Sequence, residues 1–319
     1  MQRLVKFQKF SWVLPWLKRF GLQCIVFSFF LSNFSCESPK QNLLIDKEDR
    51  EVVDDFLRHI AISELGVYTI LGSKPISWFH IPQVQPEDEL RKRYEAMPND
   101  FRKKISFEKY NTNKQIEKLG EICKKWMKIQ HKYVGEHFAI QFDEEMRSGI
   151  LVNIPLATYA LRKYYQDFSS VFGSDFDQAV FAKEIGNYSS EFWKTIKKNH
   201  YLMGLLFGFG EKNSKFFQWE QEKSISFPFR VASYNSPWLK KRRFSKFAVE
   251  EKIENLSIPQ FIVYQPVDEA VEKYLLEKER IIQIYKNRDF AETTVAFLKG
   301  EAVHQLSKRK KSISVQKVD

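Results

Sequence analysis

The 319-residue chain sets 51 Lys and Arg against 40 Asp and Glu, a formal net charge of +11, and carries 29 Phe, 13 Tyr and 7 Trp. A hydrophobic content of 43% with only 12 Gly and 11 Pro excludes a linker, a fibre or a disordered chain, and Cys123 is the sole cysteine after residue 36, which excludes an intrachain disulfide framework. The positive charge sits at the two ends, so the body between Cys36 and His304 is nearly neutral and lacks the broad cationic surface that phosphate neutralisation requires.

Arg3, Lys6, Lys9, Lys18 and Arg19 precede an apolar run from Phe20 to Phe34, and no acidic residue occurs before Ser35-Cys36. A charged start, a short apolar segment and a small residue before a cysteine make an export signal. The run is shorter than the roughly 20 apolar residues a membrane span requires. The residues Leu31, Ser32, Asn33, Phe34, Ser35 and Cys36 resemble a bacterial lipobox. That resemblance implies that Cys36 receives a diacylglycerol on its sulfur, becomes the mature N-terminus and anchors the protein to a membrane through acyl chains such as palmitate. The implied location is the extracytoplasmic face of a bacterial cell envelope. An ordinary cleaved signal, an uncleaved anchor and a core helix are the competing readings. The expected organisation is an export signal over 1–35, a polar tether over 36–45, a globular body over 46–304 and a basic, disordered tail over 305–319.

Along the body, Val52, Val53, Phe56, Ile60 and Ile62 predict a helix between Asp46 and Ser63. Val67 to Leu71 and Ile76 to Ile81 read as two strands around the turn Gly72-Ser73-Lys74-Pro75. The charged segment Glu87 to Ala96 leads to an amphipathic helix with Ile116, Leu119, Cys123, Trp126 and Tyr133 on one face. His137 to Phe142 and Ile150 to Ile154 suggest a hairpin, after which Pro155 can open a helix. From there to about Phe217 the pattern is helical and aromatic, broken at Gly173, Gly186 and the group Gly204, Gly208 and Gly210. Short strands are expected at Phe227 to Ala232 and Phe261 to Tyr264. A long helix then places Val267, Val271, Tyr274, Leu275, Ile281, Ile282 and Tyr285 on one face. The fold class is α+β, predominantly helical with short dispersed strands.

Candidate chemistry is sparse. The run Gly204 to Gly210 lacks the Lys-Ser/Thr of a phosphate loop and the full dinucleotide spacing, so its glycines read as helix ends or close packing points. His131, Glu136 and His137 form the one local group of metal-ligand types, without His-Glu-x-x-His spacing. Ser106-Phe107-Glu108-Lys109 and Ser233-Tyr234-Asn235 resemble two of the three elements of penicillin-binding proteins, which implies Ser106 as nucleophile with Lys109 and Ser233 beside it. The third element, Lys-Thr/Ser-Gly, is absent, because Lys299 is followed directly by Gly300. Lys240, Lys241, Arg242 and Arg243 are the body's only cationic run and read as a solvated loop; with the tail they support a nucleic-acid-binding alternative. Trp78, Phe79 and His80 after the first turn, and Phe216, Phe217 and Trp219, form two aromatic groups that core packing explains as readily as a surface role does.

The sequence therefore reads as a lipid-anchored envelope protein that makes protein or envelope contacts, with no cofactor motif and no catalytic residue assigned. A serine hydrolase using Ser106, Lys109 and Ser233 is the first alternative.

Overall fold

The computed structural model describes residues 45–173, 176–222, 227–235 and 252–301. The lipobox with Cys36, the cationic run at 240–243 and the basic tail lie outside the described residues.

The described chain is α+β and mostly helical. Helix α1 (Arg50–Arg58) buries Val53, Phe56 and Leu57, residues spaced to share one face, and has Glu51 in its first turn and Arg58 in its last, as the helix dipole favours. It runs on into a π turn, His59–Ser63, where the Glu64 N–H reaches the His59 carbonyl at 3.0 Å. The wider turn brings Ile60, Ala61 and Ile62 together into the core. Val67 to Leu71, expected as a strand, instead contains the helical turn α2 (Val67–Ile70). Its four side chains are all buried, and the Leu71 N–H closes onto the Val67 carbonyl at 2.8 Å. A buried apolar run has no polar side to reveal its period, which is why helix and strand look alike there.

Strands β1 (Ile76–His80), β2 (Phe138–Phe142) and β3 (Ser148–Asn153) form an antiparallel sheet in the order β1-β3-β2. Both faces of the sheet are covered. Phe79, Ile140 and Leu151 enter one hydrophobic core, while Ile76, Ile150 and Val152 enter a second. That double burial explains why β3 is apolar without alternation.

Between β1 and β2 lie three short helices, α3 (Glu87–Glu95), α4 (Asn99–Arg102) and α5 (Phe107–Tyr110), and the long α6 (Asn113–Ile129). Helix α6 buries Ile122, Cys123 and Trp126, and Trp126 stacks on Phe56 of α1 with ring centres 4.4 Å apart. Tyr133, expected on the same helix, lies beyond its end and is buried all the same. Pro155 stands in the first turn of α7 (Ile154–Lys163), capped by Asn153. Helices α8 (Tyr165–Phe172), α9 (Gln178–Glu184), α10 (Glu191–Ile196) and α11 (His200–Leu206) supply the second core, in which Phe168, Phe192 and Trp193 are almost completely buried.

Helix α12 (Glu211–Gln221) is followed by β4 (Val231–Ala232), paired antiparallel with β5 (Ile262–Val263). This ribbon is much shorter than the expected strands at 227–232 and 261–264. Helices α13 (Glu269–Tyr285) and α14 (Phe290–Leu298) close the first core. Helix α13 buries Val271, Tyr274, Ile281 and Tyr285, whereas Val267 precedes the helix and is 58% exposed. Phe209 packs against both cores and marks the place where they meet.

Candidate functional site

The glycine group expected at 204–210 builds one wall of an apolar cavity. Asn199 caps α11 by accepting the Leu202 N–H at 2.9 Å, and the chain leaves the helix through Gly208 (φ +73°) and Gly210 (φ +86°). Those left-handed conformations suit glycine, and they fold the chain back into α12. Ser214 sits on Gly204, and the Tyr201 N–H reaches Gln218 Oε1 at 3.0 Å, so the two helices run antiparallel in close contact.

The β4-β5 ribbon lies beside this helical hairpin, and Phe261 stacks on Phe209 with ring centres 5.0 Å apart. The residues leave a cavity of about 500 Å³. Met203, Phe207, Phe209 and Phe217 line it from the hairpin; Ala232, Phe261 and Ile262 line it from the ribbon; Trp78 reaches it from β1. Its size and apolar lining are those of small-molecule sites.

Polar side chains stand among the lining residues. Asn213 is only 4% exposed, and its Nδ2 donates to the Phe209 carbonyl at 3.1 Å and to Asp268 Oδ2 at 3.0 Å. Asp268 is itself committed to capping α13, accepting the Ala270 and Val271 N–H groups. Because two acceptors fix the amide group's orientation, Oδ1 is the atom left over, and among the described residues nothing donates to it. His200 stands edge-on to Phe217 at 5.4 Å, with Nδ1 buried and unpartnered. The Trp78 indole N–H is in the same condition. A buried polar atom without a partner costs free energy on the order of 1–3 kcal/mol, and these three are packed into the walls with almost no accessible surface of their own.

A second feature adjoins these walls. Lys74 is 6% exposed, and its Nζ lies 5.5 Å from the Phe207 ring centre and 5.8 Å from that of Phe209. Burial holds its pKa down to about 7; the charge of Glu64 works against that shift and that of Lys273 works with it. Lys273, also lowered by burial, donates to the Gly208 carbonyl at 3.2 Å beside the Tyr274 hydroxyl at 2.9 Å. Helix α13 thus holds the turn between α11 and α12. Lys74 is not one of the cavity-lining side chains.

The residues singled out in the sequence fall in varied places. Trp78 and Phe217, from the two aromatic groups, are brought together at the cavity. Phe79 is core, and His80 is exposed. Ser106 is exposed at the start of α5, whereas Ser233 is fully buried, donating to the Pro259 carbonyl at 2.7 Å and accepting the Phe261 N–H at 3.1 Å. Ser233 Oγ is therefore occupied in holding the ribbon and is not placed as the partner of an exposed nucleophile. His131, Glu136 and His137 are exposed, and among the described residues no three metal-ligand side chains converge. Cys123 is a buried thiol whose pKa burial pushes up to about 12. His200, Asn213 and Ser214 were not singled out by any local pattern.

No protein-family model matches the chain, and no similar curated protein or solved structure was found.

Proposed function

We propose that this is an exported, lipid-anchored protein of a bacterial cell envelope whose body binds a small, largely apolar molecule between α11, α12 and the β4-β5 ribbon. The observation that carries the binding role is the cavity of about 500 Å³ with its aromatic walls. The membrane location rests on the basic, apolar and Ser35-Cys36 pattern of the N-terminus. Multiple acyl chains on Cys36 would hold the protein firmly, since one chain of myristate length gives only marginal residence.

Titration with N-phenyl-1-naphthylamine, a neutral dye that brightens in apolar surroundings, tests the binding role. Saturable binding at one site is expected, and Ala232→Trp, which fills the cavity from the ribbon side, should remove it. The absence of saturable binding, or equal binding by the filled variant, would overturn the reading. For the location, Cys36→Ala should abolish incorporation of a labelled fatty acid; equal labelling of both proteins would overturn the anchor.

A further inference from the structure

The β4-β5 ribbon places the cavity's opening. Val231 pairs with Val263 and Ala232 with Ile262, and the Ser233 N–H then donates to the Phe261 carbonyl at 2.8 Å. The same register carried one residue further sets Tyr234 opposite Gln260. Ala232 and Ile262 face the cavity, and so do Tyr234 and Gln260 two residues on. Tyr234 is 43% exposed and Gln260 is exposed too, whereas every other lining residue is buried or half-buried. These two neutral polar side chains therefore form the mouth. Behind it the walls offer an occupant almost nothing to hydrogen-bond with. Asn213 Oδ1, His200 Nδ1 and the Trp78 indole nitrogen are packed away with almost no accessible surface, and Ser214 Oγ donates to the Gly210 carbonyl at 2.7 Å. His200 retains only Nε2. Among the described residues no Asp, Glu, Lys or Arg lines the cavity.

We infer that the occupant is an uncharged amphiphile with a single polar end. Its apolar body lies among Met203, Phe207, Phe209, Phe217 and Phe261, and its one hydroxyl- or amide-like group stays at the mouth between Tyr234 and Gln260. A tyrosine hydroxyl and a glutamine amide can each donate and accept, so the mouth suits a neutral group of either kind. A second polar group at the far end would lose its hydrogen bonds to water without replacement, which an apolar interior penalises. A charged end would find no counter-charge among the lining residues. The inference rests on the binding role proposed above and deepens it, because the site then selects by the position of the polar group as well as by apolar area.

Displacement of N-phenyl-1-naphthylamine from the full chain by 2-naphthol, 2,6-dihydroxynaphthalene and 2-naphthoate at pH 7 tests the inference. The rigid diol must carry its second hydroxyl inward. It should be weaker than 2-naphthol by at least about tenfold beyond the difference in their octanol partition, since octanol can hydrogen-bond and these walls cannot. The charged 2-naphthoate should also be weaker than 2-naphthol. Gln260→Lys, a change at an exposed position, should raise 2-naphthoate relative to 2-naphthol at least about threefold, and Gln260→Glu should lower it, the scale of one charge pair near the surface. Equal displacement by 2-naphthol and the diol would overturn this inference while leaving a general apolar site intact. A ratio of 2-naphthoate to 2-naphthol that neither Gln260 variant moves would overturn the placement of the polar end. Failure of the dye itself to bind would overturn the binding role and this inference with it.

Discussion

Gly204 and Ser214 meet with no room for another carbon between them: a Cβ built on Gly204 would lie 2.7 Å from Ser214 Cβ and closer still to its Oγ. The contact sets the spacing of α11 and α12 and with it the width of the cavity floor. Gly204→Ala should therefore cost about 1–3 kcal/mol in urea unfolding, because overpacking outweighs the roughly 1 kcal/mol that alanine gains in a helix. Adding Ser214→Gly should recover part of the loss. A single variant as stable as the parent would show that the helices separate freely.

The fold was largely legible where one helix face is buried and the other solvated, as in α6, where Ile122, Cys123 and Trp126 recur at helical spacing. It was illegible at Val67 to Ile70, where every side chain is buried and the π turn before it removes any regular period. The cavity was half visible. Trp78 and Phe217 drew notice as aromatics, and the glycines marked a turn, but Asn213 and His200 line the cavity without any local pattern. That property arises from packing between segments far apart in the chain, such as the grip of Asp268 on Asn213.

Asp49, at the start of α1, accepts hydrogen bonds from Lys132 Nζ at 2.9 Å and the Tyr133 hydroxyl at 2.7 Å, tying α1 to the end of α6. Burial raises its pKa, but these two hydrogen bonds and the charge of Lys132 together lower it more, leaving a net value below the ordinary 3.8. A depressed carboxylate contributes stability above the unfolded value and loses it as the pH falls through the folded one. Asp49→Asn should thus lower stability by about 1–2 kcal/mol at pH 6, Lys132 being partly exposed and screened. The difference from the parent should shrink toward pH 3; a gap of constant size would mean that the charge is not what stabilises.

Cys123 is fully buried, and its pKa is pushed up to about 12 by burial alone. The thiolate is the reactive form, so the native thiol should be inert. In a chain carrying Cys24→Ala and Cys36→Ala, Ellman's reagent at pH 8 should show no rapid colour until guanidinium is added, and then one equivalent. Rapid native labelling would indicate that α6 opens readily from α1.

Lys74 gives the fold a pH dependence of unusual sign. Its pKa falls from 10.5 to about 7, burial being the main cause, and the ammonium lies over Phe207 and Phe209 with no carboxylate in ion-pair contact among the described residues. Between about pH 7 and 10.5 the unfolded chain holds a proton that the folded chain has released, so stability rises with pH, by up to about 1.4 kcal/mol per unit. Below the folded value both states are protonated and the cost of the buried charge is fully present. Above 10.5 both are neutral and the dependence ends. Lys74→Met keeps the side-chain length without the amine. It should be more stable than the parent at pH 7, with the two converging as the pH is raised to 9.5. Because Lys273 and the tyrosines titrate in both proteins, the difference between their urea midpoints at the two pH values isolates Lys74. An unchanged difference from pH 7 to 9.5 would show that Lys74 keeps its ordinary proton affinity in the fold.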